Sequence, residues 1–500
     1  MSRINTNVQS MIAERILNHN KGALNTALER LSTGLRINRG KDDPAGLIAS
    51  ENLRSEIKAT GAAINNAERA DQVVNIAESG LQEVSGLLEE LQGLITATAS
   101  SAGLSKEERD ANQLQIDSIL QTIDRVSSAT SFQGIKLLNG NFDFKTSGVS
   151  TGISDYKINS AKFANGSLAV DVQITQSAQF GGLLMSVGGT QLTLSGNEQF
   201  VIDVSGAKGS REFTFSHGAT LNTIMSTINT FTEITGVQAT VSGNGVKITS
   251  DDYGSDQFVN VKVVDDGGLT VGALTRMVAD DFNTADGTTS VTLASQTARN
   301  GMRDDGQNVR ATVNGLTATS DGRKIRVNAD FLDVEMTLSD TQATSAGTFA
   351  AFTITGGGAN FQLGGKVDIA SKVSLGIGDV AVRKLGNGVD GFLSSLSAGR
   401  PNNVIDGDLA AAQKIVTQAS SQISALRGRL GAFQQNTVGA TIRSLNIANE
   451  NTQAAQAVIR DADFAQETAA LTRAQILVSS ATQILTLANQ QPQSVLQLLG

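Results

Sequence analysis

Residues 63–95 read AINNAERADQVVNIAESGLQEVSGLLEELQGLI. Within them Ala63, Ala67, Ala70, Val74, Ala77, Leu81, Val84, Leu88, Leu91 and Ile95 step by four and three without a miss. That spacing is a heptad seam, an apolar stripe along a helix roughly 50 Å long. Its alanine-rich half allows close approach, and its leucine-rich half supplies bulk. A second stripe, Leu409, Ala412, Val416, Ala419, Ile423, Leu426, Leu430 and Phe433, repeats the spacing more than three hundred residues later. A third helix opens at Ser105 with a capping box to Glu108 and carries Ile116, Ile119, Ile123 and Val126. Three such stripes bury one another most simply as a coiled-coil bundle.

Upstream, Leu24, Leu28, Leu31 and Leu35 extend a heptad from a helix that includes Ile4, Val8 and Ile16. Between the helices, residues 31–50 read LSTGLRINRGKDDPAGLIAS. Gly34 and Gly40 interrupt the first helix, and Asp43 before Pro44 is an N-cap followed by a favoured first helical residue. The segment is a structured connector.

The chain of 500 residues is long enough for two to four domains. Of its 20 aromatic residues 17 lie within 141–400, as do 35 of its 51 glycines. The flanks, rich in Ala, Leu, Ile, Gln and Asn, have the composition of packed helices. The middle, rich in Gly, Thr, Val and Phe, reads as strands and turns. The fold class is therefore α+β, a helical bundle built from both ends around a β-rich insert. One outer domain or two fits the length of that insert.

Chemistry is scarce. There is no cysteine, which removes disulfides, thiolate metal sites and cysteine nucleophiles. His19 and His217 are the only histidines, and no H-E-x-x-H occurs. No enzyme activity and no cofactor are expected. A net charge of −9 disfavours non-specific nucleic-acid binding, which depends on phosphate neutralisation. Gly386, Gly388 and Gly391 match G-x-G-x-x-G, but the following FLSSLSAGRP is too short and broken for the helix of a dinucleotide fold. Asp42 and Asp43 are explained by capping, and the Asn165 sequon by chance.

The last 37 residues carry only Glu467 and Arg473 as charges. Ala470, Ala474, Leu477, Ala481, Ile484 and Ala488 keep the 4,3 spacing there, with Leu471, Val478 and Leu485 widening the apolar face. A helix lying alone on a surface normally has a charged outer side. This one has Gln, Asn, Ser and Thr, which a neighbour can cover without burying unpaired charge. The first 13 residues are similar, Arg3 being the only charge. No apolar run reaches membrane-spanning length, and the start MSRINTNVQSMIAERI has no signal-peptide core. Both ends are therefore expected to be buried by other copies of the chain.

INTNV at 4–8, LSTGLRINRGKDDPAGL, IDRVSSATSFQGIKLLNG at 123–140 and the ending LTRAQILVSSATQILTLANQQPQSVLQLLG together resemble bacterial flagellin. VSGNGVKITSDDYGSDQFVNV at 241–261 is similar to a repeat of flagellin outer domains. The resemblance implies an extracellular, secreted filament subunit used for swimming, exported unfolded by the flagellar type III apparatus. Its partners would be other flagellin copies, an export chaperone, the filament cap and the hook-junction proteins. It implies three regions: 1–40 plus 462–500 as terminal helices of the filament's inner core, 41–140 plus 401–461 as a coiled-coil domain, and 141–400 as a variable, surface-exposed region. Ile4, Val8, Leu477, Ile484, Val495, Leu496, Leu498 and Leu499 would then pack in the inner core, while Leu24, Leu28, Leu31, Leu88, Leu91, Ile95, Leu426 and Leu430 belong to the seams.

Flagellins that stimulate the vertebrate innate receptor have an arginine where this chain has Glu90, and a glutamate is expected at Gln115; Leu94 keeps the pattern. A poor agonist is therefore expected. A hook-filament junction protein shares the terminal helices and is the alternative reading; a flagellin with an inserted zinc protease would need the missing H-E-x-x-H.

Overall fold

The computed structural model describes residues 6–100, 103–163, 166–195, 198–269, 271–278 and 281–499; the side chains of 282, 283 and 492–499 lie outside that description. The long helices are α1 (Val8–Thr33), α2 (Pro44–Thr98), α3 (Lys106–Ala129), α4 (Leu409–Ala432), α5 (Gly439–Arg460) and α6 (Phe464–Leu499). Their ends follow the local chemistry. Gly34 closes α1 in the left-handed region, at φ 72°, where a side chain would be strained. Asp43 caps α2 by accepting the Gly46 N–H at 2.9 Å, and the Ser105/Glu108 box is formed in both directions. Asp42 accepts the N–H groups of Arg39 and Asn38, which lower its pKa. Between α4 and α5 the residues Phe433–Val438 form a π-helical turn.

Contacts divide the chain into two compact units: Met1–Gln72 with Phe361–Lys372 and Gly431–Gly500, and Val73–Asn360 with Val373–Leu430. In the first unit α1 and α6 pair. Asn7 donates to the Ala488 carbonyl at 2.8 Å, Ser10 to Asn489 at 2.7 Å, and Arg30 bonds Glu467 at 3.0 Å. Leu35 bridges to Asp461, so the connector after α1 is tied to the turn before α6.

In the second unit every seam residue of α2 from Val74 to Ile95 is buried, as are Ile116, Ile119 and Ile123 of α3 and Ala412 to Leu430 at the α4 seam positions. An ion pair at 2.8 Å joins Arg427 to Glu78. The same unit holds two β cores. One packs a sheet containing Leu168–Gln176 and Gly347–Gly357 against another containing Ile153–Ala161 and Leu332–Leu338. The other joins the sheet around Gly182–Ser186 and Gly245–Ser250 to that around Gln199–Gly206 and Phe258–Asp265, with the helix Leu221–Thr230. All recorded ladders between these strands are antiparallel, and alternation sets the inward side chains: Phe200, Ile202 and Val204 are buried, with Phe200 opposite Phe215 and Ile202 opposite Phe213.

The chain enters and leaves the second core side by side. Gln179 bridges to Gln307, and Phe180 stacks on Tyr253 with centroids 3.7 Å apart. Glycine is required at this crossing: a Cβ on Gly181 would stand 2.7 Å from the Asp304 carbonyl oxygen, and one on Gly306 would strike the Gly254 carbonyl. Burial of the Tyr253 phenol, with help from Asp340, raises its pKa to about 12.

Candidate subunit interface

The α1/α6 pair uses only part of each helix. Ala13, Leu17, Asn20 and Ala27 are buried on α1, and Glu467, Ala474, Ala481 and Ala488 on α6. The α6 positions are seven apart, the spacing of a coiled-coil seam, here three alanines continued by Glu467. Leu24, Leu31, Leu471, Val478 and Leu485 are half-buried beside them. Leu28 lies one position off the seam on which its spacing placed it and is 45% exposed. Asn20 reaches the Leu477 carbonyl at 3.4 Å, and Glu467 is satisfied by Arg30. Asn20 and Glu467 thus have partners inside the pair, as burial requires, while the Arg30 Nε is buried without one.

A second row faces away from the pair. Val8 is 55% exposed, Leu477 45% and Ile484 58%, with Met11, Ile12, Ile16, Ile476, Leu487 and Phe464 also exposed. α5 has no buried residue along its whole length, and Ile447 and Val458 are open. Exposed large apolar side chains in this number on paired helices are rare on a chain that works alone. Ile4 and the side chains of Val495, Leu496, Leu498 and Leu499 lie outside the described residues. Leu88, Leu91, Ile95, Leu426 and Leu430 are at most 4% exposed and so are placed inside the chain. Sequence spacing identified Leu477 and Ile484 but passed over Met11, Ile476 and Leu487; the scarcity of charge around them was the available signal.

On α2 and α3, Glu90 and Gln115 are exposed and Leu94 is half-buried. His19 and His217 are exposed, His217 lying beside Leu194 at 3.1 Å. The glycine triplet at 386–391 lies in a short hairpin pairing Gly386 with Phe392 and Asn387 with Gly391, followed by a 3₁₀ turn. Asn165 lies outside the described residues. Among the described residues no group of three His, Cys, Asp or Glu could hold a metal, and no helix is long and apolar enough to cross a membrane.

A helical bundle formed by both chain ends, uncovered apolar rows on those ends and a β-rich insert between them define a packing protein of the α+β class. Residues 4–143 match the bacterial flagellin N-terminal helical region, and 413–499 the C-terminal helical region. The B-type flagellin of Pseudomonas aeruginosa is 30% identical and the flagellin of Salmonella typhimurium 28%, each alignment covering 99% of both chains. The chain belongs to the flagellin family, the structural subunits of the bacterial flagellar filament. Among solved structures, FliC from Burkholderia pseudomallei is 14% identical, with 73% of this chain and 99% of that one covered, at a TM-score of 0.23.

Proposed function

We propose that this chain polymerises into the extracellular filament used for swimming, after export in an unfolded state by the flagellar type III apparatus. The observation carrying this reading is the second apolar row on α1 and α6, which one chain leaves open and neighbouring copies would close. In this reading 1–40 with 462–500 form the inner core, 41–140 with 401–461 the surrounding coiled-coil layer, and 141–400 the outer surface. Its partners are further copies of the chain, an export chaperone, the cap and the hook-junction proteins. Ile4, Val8, Leu24, Leu28, Leu31, Leu477, Ile484 and the Val495–Leu499 segment contribute to subunit packing, and the buried seam residues hold the subunit that presents them. The role is structural and needs no catalytic group.

Seeded growth tests it. Purified chain added to short filament seeds is expected to give long filaments in electron micrographs, whereas Leu477→Asp with Ile484→Asp is expected to stop growth. Failure of the unaltered chain to elongate seeds would remove this reading and favour a junction protein.

A further inference from the structure

Strands Ala359–Gln362 and Lys372–Leu375 pair as a hairpin, and the loop between them is built rather than loose. The Gln362 side chain donates to the carbonyls of Gly364 at 3.2 Å and Lys366 at 2.5 Å. The Asp368 carboxylate accepts the Ser371 N–H at 2.7 Å, and Leu363 is buried at the loop's base. A Cβ on Gly365 would lie 3.5 Å from Ala59, so the loop rests against α2. Yet its tip presents Val367 at 95% exposure and Ile369 at 46%. A fixed loop that offers two aliphatic side chains to water has the form of a knob without its hole.

The same compact unit contains a groove of about 740 Å³ along α5. Leu35, Ile57, Ala454 and Ala457 supply an apolar lining, and Glu450 and Asp461 outnumber Arg460, whose guanidinium is paired with Glu51. Val367 is too exposed to be seated in the groove of its own chain. The bonds from Ser371, with help from Lys366 on the knob, lower the pKa of Asp368, but no salt bridge among the described residues ties Lys366 down; set beside Glu450 in the groove it meets an opposite charge.

We propose that the Lys366–Ile369 loop of one copy seats in the α5 groove of a second copy, with Val367 and Ile369 over Ala454 and Ala457 and Lys366 beside Glu450. Knob and groove are different surfaces, so the contact is heterologous. Each bound copy still offers a free knob and a free groove, and the series stays open-ended. This contact rests on the filament reading, names one interface within it, and sets Phe361–Lys372, which folds with the helical unit, apart from the outer surface assigned to the rest of 141–400.

The absence of cysteine makes a clean test possible. Unaltered chain is polymerised first; if it forms no filaments, the filament reading itself fails. Given those filaments, a mixture of V367C and A454C chains is polymerised and oxidised. A disulfide-linked dimer that requires both variants is expected, since such a bond needs Cα atoms within about 7 Å. Mixed filaments without that dimer overturn the contact. As a second measurement, K366E is expected to raise the critical concentration for assembly roughly tenfold, and the K366E/E450K double variant to restore it. Equal assembly of the unaltered, single and double variants overturns the contact as well.

Discussion

Asp304 shows how one carboxylate can be worse placed as an ion than as an amide. Its Oδ2 accepts the Gly182 N–H at 2.8 Å, but burial outweighs that bond and the Arg276 charge and raises its pKa. The folded chain therefore holds this proton more tightly than the unfolded one. Stability from this group is present at low pH and is lost as pH rises through the raised folded value. Asp304→Asn keeps an acceptor for Gly182 and removes the buried charge, so its melting temperature is expected to be higher by roughly 1–3 °C at pH 7. The gain is expected to disappear below the ordinary carboxylate range near pH 4, as thermal melts at the two pH values would show. Glu90 raises a different question at the same scale. It is exposed on α2, where a receptor that accepts arginine would meet a reversed charge. Glu90→Arg is expected to shift a reporter-cell dose response towards higher potency, roughly tenfold for a well-placed pair; an unmoved curve would exclude this side chain as the determinant. Glu90 could be singled out from sequence because its helix was legible. Asp304 could not, since only the folded crossing beside Gly182 buries it.

The helices separate positions that hold a chain together from those that hold chains to one another. Leu88 is 1% exposed, and Leu88→Ala is expected to cost ~2–5 kcal/mol in monomer denaturation. Leu477 is nearly half exposed, so Leu477→Ala is expected to change monomer stability by no more than ~0.5 kcal/mol while slowing seeded growth. If both variants lost the same monomer stability, the exposed row would be part of the intrachain core. The α2 seam from Ala63 to Ile95 was readable because a 3.5-residue repeat survives with no tertiary information. The capping residues Asp43 and Ser105 were readable for the same local reason. The π-turn at Phe433–Val438 was not, because the stripe passes through Leu430 and Phe433 without announcing a change of pitch. Nor was the hairpin at 359–375, whose strands are four residues each and are joined by a long loop rather than a short turn. On α1, spacing alone put Leu28 on the seam, yet the fold turns Ala27 inward, since a close helix pair favours the smaller side chain.

For the molecule as a whole, the crossing at Gln179 and Gln307 marks the second β core off as a module, with Tyr253 of that span reaching back into the first core. Its hydrophobic residues all fall between Leu183 and Met302. Excision of 182–305 with a short Gly-Ser link is expected to leave the helical bundle folded and seeded growth intact; loss of helical circular dichroism would refute that independence. The division into two β cores was hidden from composition, because both use the same Gly, Thr, Val and Phe vocabulary. In dilute monomer, α1 and α6 lack the neighbours that would cover their second row. Their amides are expected to exchange much faster than those of α2 and α3, and to become protected in filaments. Equal protection in both states would argue that the ends are complete alone. The Asn7–Ala488 bond also sets a timetable, for it joins residues 481 positions apart. No contact in the α1/α6 pair can close until nearly the whole chain is available at both ends, and loop closure over that distance is slow. On the export route proposed above, a chain threaded end-first could not pair its termini inside a narrow passage, and the sequence separation would act as a clock that withholds the adhesive surface until both ends had emerged.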